Sequence, residues 1–381
     1  MTPADKSAGG IVLTDQQRLC WLRLIRTENV GPTTFIELIK RFGTADRALD
    51  ELPALVARSG RRPIQIASQS QAEAEIAKLN ACGGRLICLG EPDYPAALRA
   101  ADAPPPVLSV RGNSEVLKRH AVAFVGSRNA SLAGNKLTGE LVSGVAAADY
   151  VVISGLARGI DSAAHRASLH TGTIAAFAGG IDQVYPEQNL QLAQEIIELG
   201  GAIVSEMPFG WRPRAKDFPR RNRIVAGLAL GLVVVEAAHR SGSLITARLA
   251  NEMGRLVFAV PGSPMDPRSE GTNELIRQGA QLITSANDIL AAITPLASRT
   301  QQVPYSLEEV RHIDMAPKSK TPSPDYDQRS LLLSAMSYAP VTIDDLIRHT
   351  KLDPDIVQMI LLELALAGII ERHGGNRVSR Q

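Results

Sequence analysis

One pattern recurs six times between residues 121 and 262: a short apolar run ends in a turn rich in glycine, serine or charged residues, and a helix-like stretch follows. The apolar runs occupy residues 121–125, 150–153, 174–177, 202–204, 232–235 and 256–260. Strands that are buried on both faces carry such unbroken apolar runs, whereas strands with one exposed face alternate. The pattern therefore predicts an α/β fold with a mainly parallel sheet and helices on both of its faces.

In parallel sheets of this kind the ligand binds at the carboxyl ends of the strands, and two of the turns at that edge combine glycines with an arginine. They contain Gly126, Ser127 and Arg128 after the first run, and Gly155, Arg158 and Gly159 after the second. Backbone amides and the dipole of the following helix make such a turn an anion site. An arginine adds a guanidinium fork that fits a phosphate. The first turn has no GxGxxG motif and the chain has no GxxxxGK(S/T) motif, so the standard nucleotide-binding loops are poorly supported.

A dense basic cluster lies between residues 212 and 223. Its six cations are Arg212, Arg214, Lys216, Arg220, Arg221 and Arg223, and its one anion is Asp217. A charge run is usually a solvated face. This cluster, however, follows the strand that ends at Glu206 and enters a helix predicted to begin near Arg220, so we expect it at the same edge as the glycine turns. Three basic or amide-rich segments at one edge predict an extended polyanion as the ligand.

Several titratable residues are also expected near this edge: Asp161, His165, Asp182, Glu206, Glu236 and His239. They could be acid–base groups. They could equally cap helices, pair with the arginines or fix loops, and Asp161 is placed to cap a helix. No nucleophile–base pair and no metal-ligand spacing is present in the sequence. We therefore expect no catalytic residue, no cofactor and no metal.

The chain has 381 residues and a formal net charge of +2, which allows two or three domains and excludes a histone-like nucleic-acid binder. Its three cysteines have no disulfide or metal spacing and favour a reducing compartment. The start of the chain has no signal-peptide pattern, and no apolar stretch is long enough to cross a membrane. We therefore expect a cytoplasmic protein with no membrane contact. Because aromatic residues make up only 4%, a groove built mainly on base stacking is disfavoured.

Residues 1–75 form the first predicted domain, which is helical. The turn at residues 29–34 joins two helices, because Gly31 can take a positive φ and Pro32 suits the first turn of a helix. The segment resembles a helix-hairpin-helix or SAM-like unit, a type that often grips a nucleic-acid backbone. An ordinary pair of antiparallel helices explains the pattern equally well.

Residues 76–296 form the main α/β domain, with further strands expected at residues 85–89 and 107–110. Residues 297–328 are polar and contain prolines, which is typical of a linker. Residues 329–381 are predicted to form helices at 329–337, 342–350 and 353–367 and a hairpin at 373–376, which together make a winged helix. The third helix has no Lys or Arg and carries Asp353, Asp355 and Glu363, which a phosphate-lined groove would repel. We therefore favour a protein-contact or regulatory role for this module.

Ordered motifs across roughly residues 80–295 give the chain a specific family resemblance. They are Gly126-Ser127-Arg128, Ser154-Gly155-Leu156-Ala157-Arg158-Gly159-Ile160-Asp161 with His165, Gly179-Gly180-Ile181-Asp182 with Tyr185-Pro186 and Asn189, Ser205-Glu206 with Pro208, Phe218-Pro219-Arg220-Arg221-Asn222-Arg223-Ile224, Glu236-Ala237, Ser241-Gly242-Ser243-Leu244 with Thr246-Ala247, and Ala259-Val260-Pro261-Gly262. In these residues the chain resembles the DprA family, also called DNA processing protein A or Smf.

This resemblance implies an extended Rossmann-like domain between a SAM-like start and a winged-helix end. It implies a homodimeric, non-enzymatic recombination mediator that binds single-stranded DNA (ssDNA) and loads the recombinase RecA in natural transformation. The DNA contacts that it implies are Gly126, Ser127, Arg128, Gly155, Arg158, Gly159, Phe218, Arg220, Arg221, Asn222, Arg223, Ser241 and Gly242. A base would stack on Phe209, Trp211 or Phe218.

A rival interpretation is a Rossmann-like enzyme that cleaves nucleoside monophosphates, a phosphoribohydrolase. Such enzymes place glycine-rich turns and a glutamate at the same sheet edge and use a PGGxGTxxE loop. Residues 236–247 lack the glycine pair of that loop. Release of free adenine from AMP would distinguish the two classes.

Overall fold

The structure is a computed structural model, and it describes residues 12–58, 63–298 and 324–381. The helices within these residues are α1 (Asp15–Arg26), α2 (Pro32–Phe42), α3 (Ala45–Arg58), α4 (Gln69–Ala81), α5 (Ala96–Arg99), α6 (Leu132–Ala147), α7 (Ile160–Ala167), α8 (Leu190–Glu198), α9 (Asp217–Leu228), α10 (Gly242–Glu252), α11 (Glu270–Arg277), α12 (Ala286–Ala297), α13 (Tyr326–Ser334), α14 (Ile343–Thr350) and α15 (Pro354–Leu366). The strands are β1 (Gly84–Cys88), β2 (Val107–Gly112), β3 (Ala121–Val125), β4 (Val151–Ser154), β5 (Thr173–Ala176), β6 (Ala202–Ser205), β7 (Ala229–Val234), β8 (Leu256–Ala259), β9 (Gln281–Leu282), β10 (Val341–Thr342), β11 (Ile370–His373) and β12 (Arg377–Arg380).

The contacts within the chain divide it into two compact units. Of the described residues, the first unit takes 75–104 and 108–298, and the second takes 12–58, 63–74, 105–107 and 324–381. Across the described ranges, no helix combines the length and the apolar character that a membrane crossing needs.

A nine-stranded sheet forms the centre of the first unit, in the order β1-β2-β6-β5-β4-β3-β7-β8-β9. The pairs from β6 through β5, β4, β3, β7 and β8 to β9 are parallel, and β2 pairs antiparallel with β6. The predicted mainly parallel sheet is therefore confirmed. The two extra strands predicted at residues 85–89 and 107–110 are confirmed as β1 and β2.

Every residue of β3, β4, β5, β6 and β7 is buried. Because successive side chains of a strand point to opposite faces, helices must cover both faces of the sheet. One core contains Val122 and Phe124 of β3 together with Val142 of α6 and Ile293 of α12. Burying apolar surface of this kind contributes roughly 25 cal/mol per Å² and accounts for the unbroken apolar runs of the sequence.

The register of the strands fixes where their carboxyl ends meet. Ala121 of β3 pairs with Val151 of β4, and Val125 of β3 pairs with Val234 of β7. The turns that follow β3, β4 and β7 therefore lie side by side at one edge of the sheet. The helix expected near Arg220 begins earlier, at Asp217.

The N-terminal part of the second unit contains the two predicted helices and the turn between them. Pro32 is the first residue of α2, as expected, but Gly31 has a φ of −93° and Asn29 takes the left-handed conformation instead, with a φ of 63°. The expectation of a positive φ at Gly31 was wrong, because Gly31 is the N-cap of α2 and needs extended backbone there. The rings of Trp21 and Phe35 hold α1 against α2, with their centroids 4.9 Å apart.

The C-terminal part of the second unit is the predicted winged helix. Its three helices are α13, α14 and α15, and its hairpin pairs β11 with β12. A third strand, β10, pairs with β12 and escaped prediction because it is only two residues long. Helix α13 begins at Tyr326, inside the segment predicted as linker, because Asp325 and Gln328 form a capping box there. Residues 299–323 of that segment lie outside the described residues.

Candidate nucleic-acid interface

A cavity of about 820 Å³ opens at the edge where β3, β4 and β7 end. We call it the edge crevice, and nine of the predicted contact residues line it: Gly126, Ser127, Arg128, Gly155, Phe218, Arg221, Asn222, Ser241 and Gly242. Arg158 lines an adjoining pocket of about 400 Å³ that shares Arg128, Phe218 and Arg221 with the crevice. Gly159, Arg220 and Arg223 line neither cavity. Strand ends distant in sequence thus form one continuous concave surface.

Arg128 is exposed at the mouth of the crevice, and its guanidinium carbon lies 5.5 Å from the centroid of the Phe218 ring. The Phe218 ring in turn meets Tyr185 edge to face, at 5.4 Å between centroids. Among the described residues Arg128 has neither a hydrogen bond nor an ion pair. A guanidinium held over an aromatic face keeps its donors free, so Arg128 can bind an anion while Phe218 offers a ring to a base.

The turn after β3 differs from its prediction in one respect. The Glu236 carboxylate accepts hydrogen bonds from the Ser131 backbone N–H at 3.0 Å and from Ser131 Oγ at 2.5 Å, just before α6. An internal carboxylate therefore already occupies the positive end of the α6 dipole. The start of α6 is therefore less open to an external anion than expected, and the Arg128 side chain carries the positive charge at this turn. The anion site at Gly126, Ser127 and Arg128 stays a prediction.

The turn after β4 is held by Asp161 rather than left open. The Asp161 carboxylate accepts from the backbone N–H groups of Gly155 and Ala157 at 3.1 and 3.2 Å. Asp161 therefore does not cap α7, as had been expected, and it consumes two amides that a phosphate would otherwise use. Burial raises the pKa of Asp161, and the nearby Arg221 opposes that rise. Arg158, at the same turn, is exposed and without a hydrogen bond or ion pair to any described residue.

The glycines of the two turns allow close packing. A Cβ on Gly155 would lie 2.5 Å from the guanidinium of Arg221. Gly159 has a φ of +73°, and its Cβ would lie 2.2 Å from the carbonyl oxygen of Ser127. The Ile160 N–H donates to that same oxygen at 3.2 Å, so the second turn is fastened to the first. Gly159 therefore shapes the interface from outside the cavity lining.

Arg221 is only 6% exposed and forms the floor of the edge crevice. Its Nη1 donates to the carbonyl of Gly155 at 2.5 Å and to the carbonyl of Ala176, so one guanidinium joins the ends of β4 and β5. Burial lowers its pKa to about 10, with Asp161 opposing, and Arg221 therefore stays charged at neutral pH. Its Nε and Nη1 are already bonded within the protein, so its guanidinium cannot bind a phosphate through two free nitrogens as an exposed arginine can.

The other two predicted arginines of α9 lie apart from the crevice. Arg223 forms an ion pair with Glu206 and donates to the Ala103 carbonyl at 2.6 Å, with its side chain 16% exposed. Its guanidinium therefore has its partners inside the protein. The sequence had suggested instead that this arginine is free to bind a DNA phosphate. Arg220 is exposed but lines neither cavity.

The structure also distinguishes the three aromatic residues proposed for base stacking. Phe209 packs against a hydrophobic core, and the indole of Trp211 donates to Asp217 while Arg214 lies 4.5 Å over its ring. Phe218 alone of the three lines the crevice. Tyr185, which joins Phe218 there, was quoted in the sequence only as part of a family motif and was missed as a lining residue, because the turn after β5 carries no cation.

His165 is fully buried behind the crevice. Its Nδ1 lies 2.7 Å from Thr173 Oγ1, and that hydroxyl donates to the Val152 carbonyl at 3.1 Å. Since the hydroxyl hydrogen is thereby used, His165 donates from Nδ1. Its Nε2 is buried and has no hydrogen-bond partner among the described residues, so a second proton there would be unsatisfied. Burial, assisted by the charge of Arg221, lowers the pKa of His165 to about 3. The residue therefore supports the scaffold and is not a general base at neutral pH.

We expect His165 to make stability depend on pH. Its folded pKa of about 3 lies below the unfolded value of 6.5, so its contribution is complete above pH 6.5 and is lost as the pH falls towards 3. Between about pH 7.5 and pH 5 the wild type should lose about 2 kcal/mol more unfolding free energy than a His165→Gln variant. Urea unfolding of both proteins at the two pH values measures this. An equal loss in both would show that His165 is not buried in its neutral form.

Three family models match the chain. The model for DNA recombination-mediator protein A matches residues 85–294, which is more than half of the chain. The chain belongs to this family. The DprA-like N-terminal HHH domain matches residues 15–77, which decides the earlier alternative in favour of a helix-hairpin-helix type, and the DprA winged helix domain matches residues 316–376.

Individual family members resemble the chain over most of its length. The protein Smf of Escherichia coli K12 is 34% identical over 368 residues, which covers 94% of each chain. The X-ray structure of DNA processing protein A from Streptococcus pneumoniae is 34% identical, covers 74% of this chain and 99% of its own, and gives a TM-score of 0.59. A structure of the Helicobacter pylori protein, described by its single-stranded DNA binding mode, is 30% identical, covers 53% and 93%, and gives a TM-score of 0.50.

Proposed function

We propose that this protein binds single-stranded DNA along the edge crevice and acts as a recombination mediator. The observation that carries the proposal is the pair of exposed arginines, Arg128 and Arg158, which line cavities at one sheet edge and form no hydrogen bond or ion pair with any described residue. A chain of phosphates is the ligand that two separate guanidinium forks at one edge would hold. The family and the H. pylori relative support the same ligand class.

The contacts divide into those for phosphates and those for bases. Arg128 and Arg158 would hold phosphates, and Ser241 and Gly242 at the start of α10 would add polar groups. The ring of Phe218 would stack a base, because it lines the crevice next to Arg128 and Tyr185. Stacking accepts any base, so we expect no strong sequence preference.

The wider role is also part of the proposal. We propose that the protein acts in the cytoplasm as a homodimer and loads RecA onto incoming DNA during natural transformation, as its family membership implies. We also propose the division into domains at residues 1–75, 76–296 and 329–381, with a linker at 297–328. Co-purification of RecA with the tagged full chain, in the presence and absence of ssDNA, tests whether RecA is a partner.

We expect ssDNA to bind much more tightly than blunt duplex DNA of the same length. Contacts to phosphates and to a stacked base need an exposed strand, whereas a duplex hides its base faces and demands a groove-reading element. Gel shifts or anisotropy with both oligonucleotides at matched salt measure the preference. Equal affinity for the two would contradict a site that holds the phosphates of a single strand and stacks one of its bases.

We propose that the protein is not an enzyme. The titratable groups near the crevice are engaged in structure: Asp161 holds a turn, Glu206 pairs with Arg223, and Glu236 binds Ser131. The assay that separates this proposal from a phosphoribohydrolase is incubation with AMP and detection of free adenine. Turnover that disappears in a Glu236→Gln variant would support the enzyme instead.

A further inference from the structure

Helix α15 of the winged helix is buried at every position from Met359 to Leu366, which is unusual for a helix that reads DNA. On one face Val357, Ile360 and Leu361 belong to the core of the winged helix. Met359, Leu362 and Leu366 are also at most 2% exposed, although they lie outside that core. Their spacing of three and four residues forms a second apolar stripe along α15. Something other than the winged helix must therefore cover this stripe.

Helices α2 and α3 contact α15 from outside the winged helix and lie in the same compact unit. We call these two helices the N-terminal helical hairpin. The apolar side chains buried on α2 include Phe35, Leu38 and Ile39. Arg41 at the end of α2 is close enough to interact electrostatically with Asp355 and Glu363 of α15. The hairpin thus offers apolar side chains that can cover the outer stripe of α15 and a cation near the acidic residues of that helix.

Two polar contacts fix the position of this interface. Glu37 of α2 forms an ion pair with Arg372 of β11, whose side chain is only 6% exposed. Asn29, in the turn before α2, donates from Nδ2 to the carbonyl of Leu366 at 2.9 Å, and Gly368 packs closely against it. Removing Glu37 would leave the buried charge of Arg372 without its counterion, so the pair disfavours any arrangement that separates α2 from β11.

We propose that α15 is a docking surface for the N-terminal helical hairpin of the same chain, and that this contact withdraws the third helix of the winged helix from DNA. In a winged helix that reads DNA, the third helix enters the major groove. Here its outer face is covered by α2 and α3. The negative charges of α15 are met by cations of the same unit, because Arg41 lies near Asp355 and Glu363, and Glu363 forms an ion pair with Arg329 of α13. This inference concerns the second unit alone and is independent of ssDNA binding at the edge crevice.

The test places a substitution in the hairpin and measures its effect in the winged helix. In the full chain, Glu37→Arg should raise hydrogen exchange of the α15 amides about tenfold or more, because it sets two arginines against each other in the interface. The matched control is Glu51→Arg, an exposed glutamate on α3, which should leave α15 unchanged. Arg372→Glu should likewise raise exchange in α2. Wild-type exchange of α15 in a folded Glu37→Arg protein would overturn the proposal.

A milder variant keeps the test decisive if Glu37→Arg does not fold. Asn29→Gly retains the left-handed backbone and removes only the amide that donates to Leu366. It should raise exchange at the C-terminal end of α15 severalfold, and no change there would count against docking. Two further outcomes would also overturn the proposal. One is protection of wild-type α15 that increases with protein concentration, which would identify a second copy as the partner. The other is a change in α15 exchange when blunt duplex DNA is added.

Discussion

Replacing Arg128 by alanine is expected to weaken ssDNA binding about tenfold to a hundredfold, through the loss of one charge-assisted hydrogen-bonded contact to a phosphate. The fold should tolerate the change, because Arg128 is exposed and bonds to none of the described residues. Its loss should also make binding less dependent on salt, by about 0.7 in the logarithmic slope for each phosphate contact removed. Fluorescence anisotropy at several salt concentrations gives both quantities.

The matched control is Arg248→Ala. Arg248 lies on α10 in the same unit, its side chain is 70% exposed, and it lines neither cavity. Both variants remove one positive charge, so a general electrostatic effect would weaken them equally. An Arg128→Ala protein that binds as tightly as the control would remove this residue from the DNA path.

Replacing Arg221 by alanine is expected to disrupt the strand ends that form the edge crevice and to lower the unfolding free energy of the protein by about 3–5 kcal/mol. The loss has two sources: the carbonyls of Gly155 and Ala176 lose their donor, and the Asp161 carboxylate is left buried without its neighbouring cation. For a domain of this size the melting temperature should fall by about 10 °C. Thermal melting followed by circular dichroism measures the effect.

The neighbouring residue provides the control for this prediction. Arg220→Ala removes the same side chain one position earlier in α9, where it is exposed. Its melting temperature should remain within about 2 °C of the wild type, as is usual for surface substitutions. Similar melting of the two variants would mean that Arg221 is not the buried floor of the crevice. If Arg221→Ala also binds ssDNA more weakly, its folding must first be compared with that of the wild type before the weaker binding is attributed to a damaged site.

The sequence was sufficient to predict the sheet and the edge at which the candidate site lies. Runs such as residues 121–125 are apolar at every position, and only a strand buried on both faces requires that. The carboxyl ends of parallel strands meet at one edge, so the turns at Arg128 and Arg158 could be placed together without knowing the strand order. The basic cluster at 212–223 could be assigned to the same region for the same reason.

The sequence could not show which charges are already used inside the protein. Arg221 meets Gly155 and Arg223 meets Glu206, which are 66 and 17 residues away along the chain. The Glu236 carboxylate reaches Ser131 across 105 residues. Such pairings depend on strand order and on side-chain direction, and local composition contains neither. The six cations among residues 212–223 therefore looked equivalent in the sequence. In the structure two of them, Arg221 and Arg223, are bound to other groups of the protein.

The carboxylate of Glu236 at the start of α6 has a consequence for how bound single-stranded DNA would move along the edge crevice. A phosphate seated in a cradle of backbone amides is fixed to one spot, whereas long arginine stems follow their ligand through several rotamers. Because the Glu236 carboxylate is bound to Ser131 at the start of α6, the proposed grip relies on the side chains of Arg128 and Arg158, and every phosphate of the DNA suits them equally well. The strand would then have no preferred register and would slip along the edge one nucleotide at a time. In the proposed role of loading RecA, such a track would let the DNA be drawn off progressively without breaking all its contacts at once.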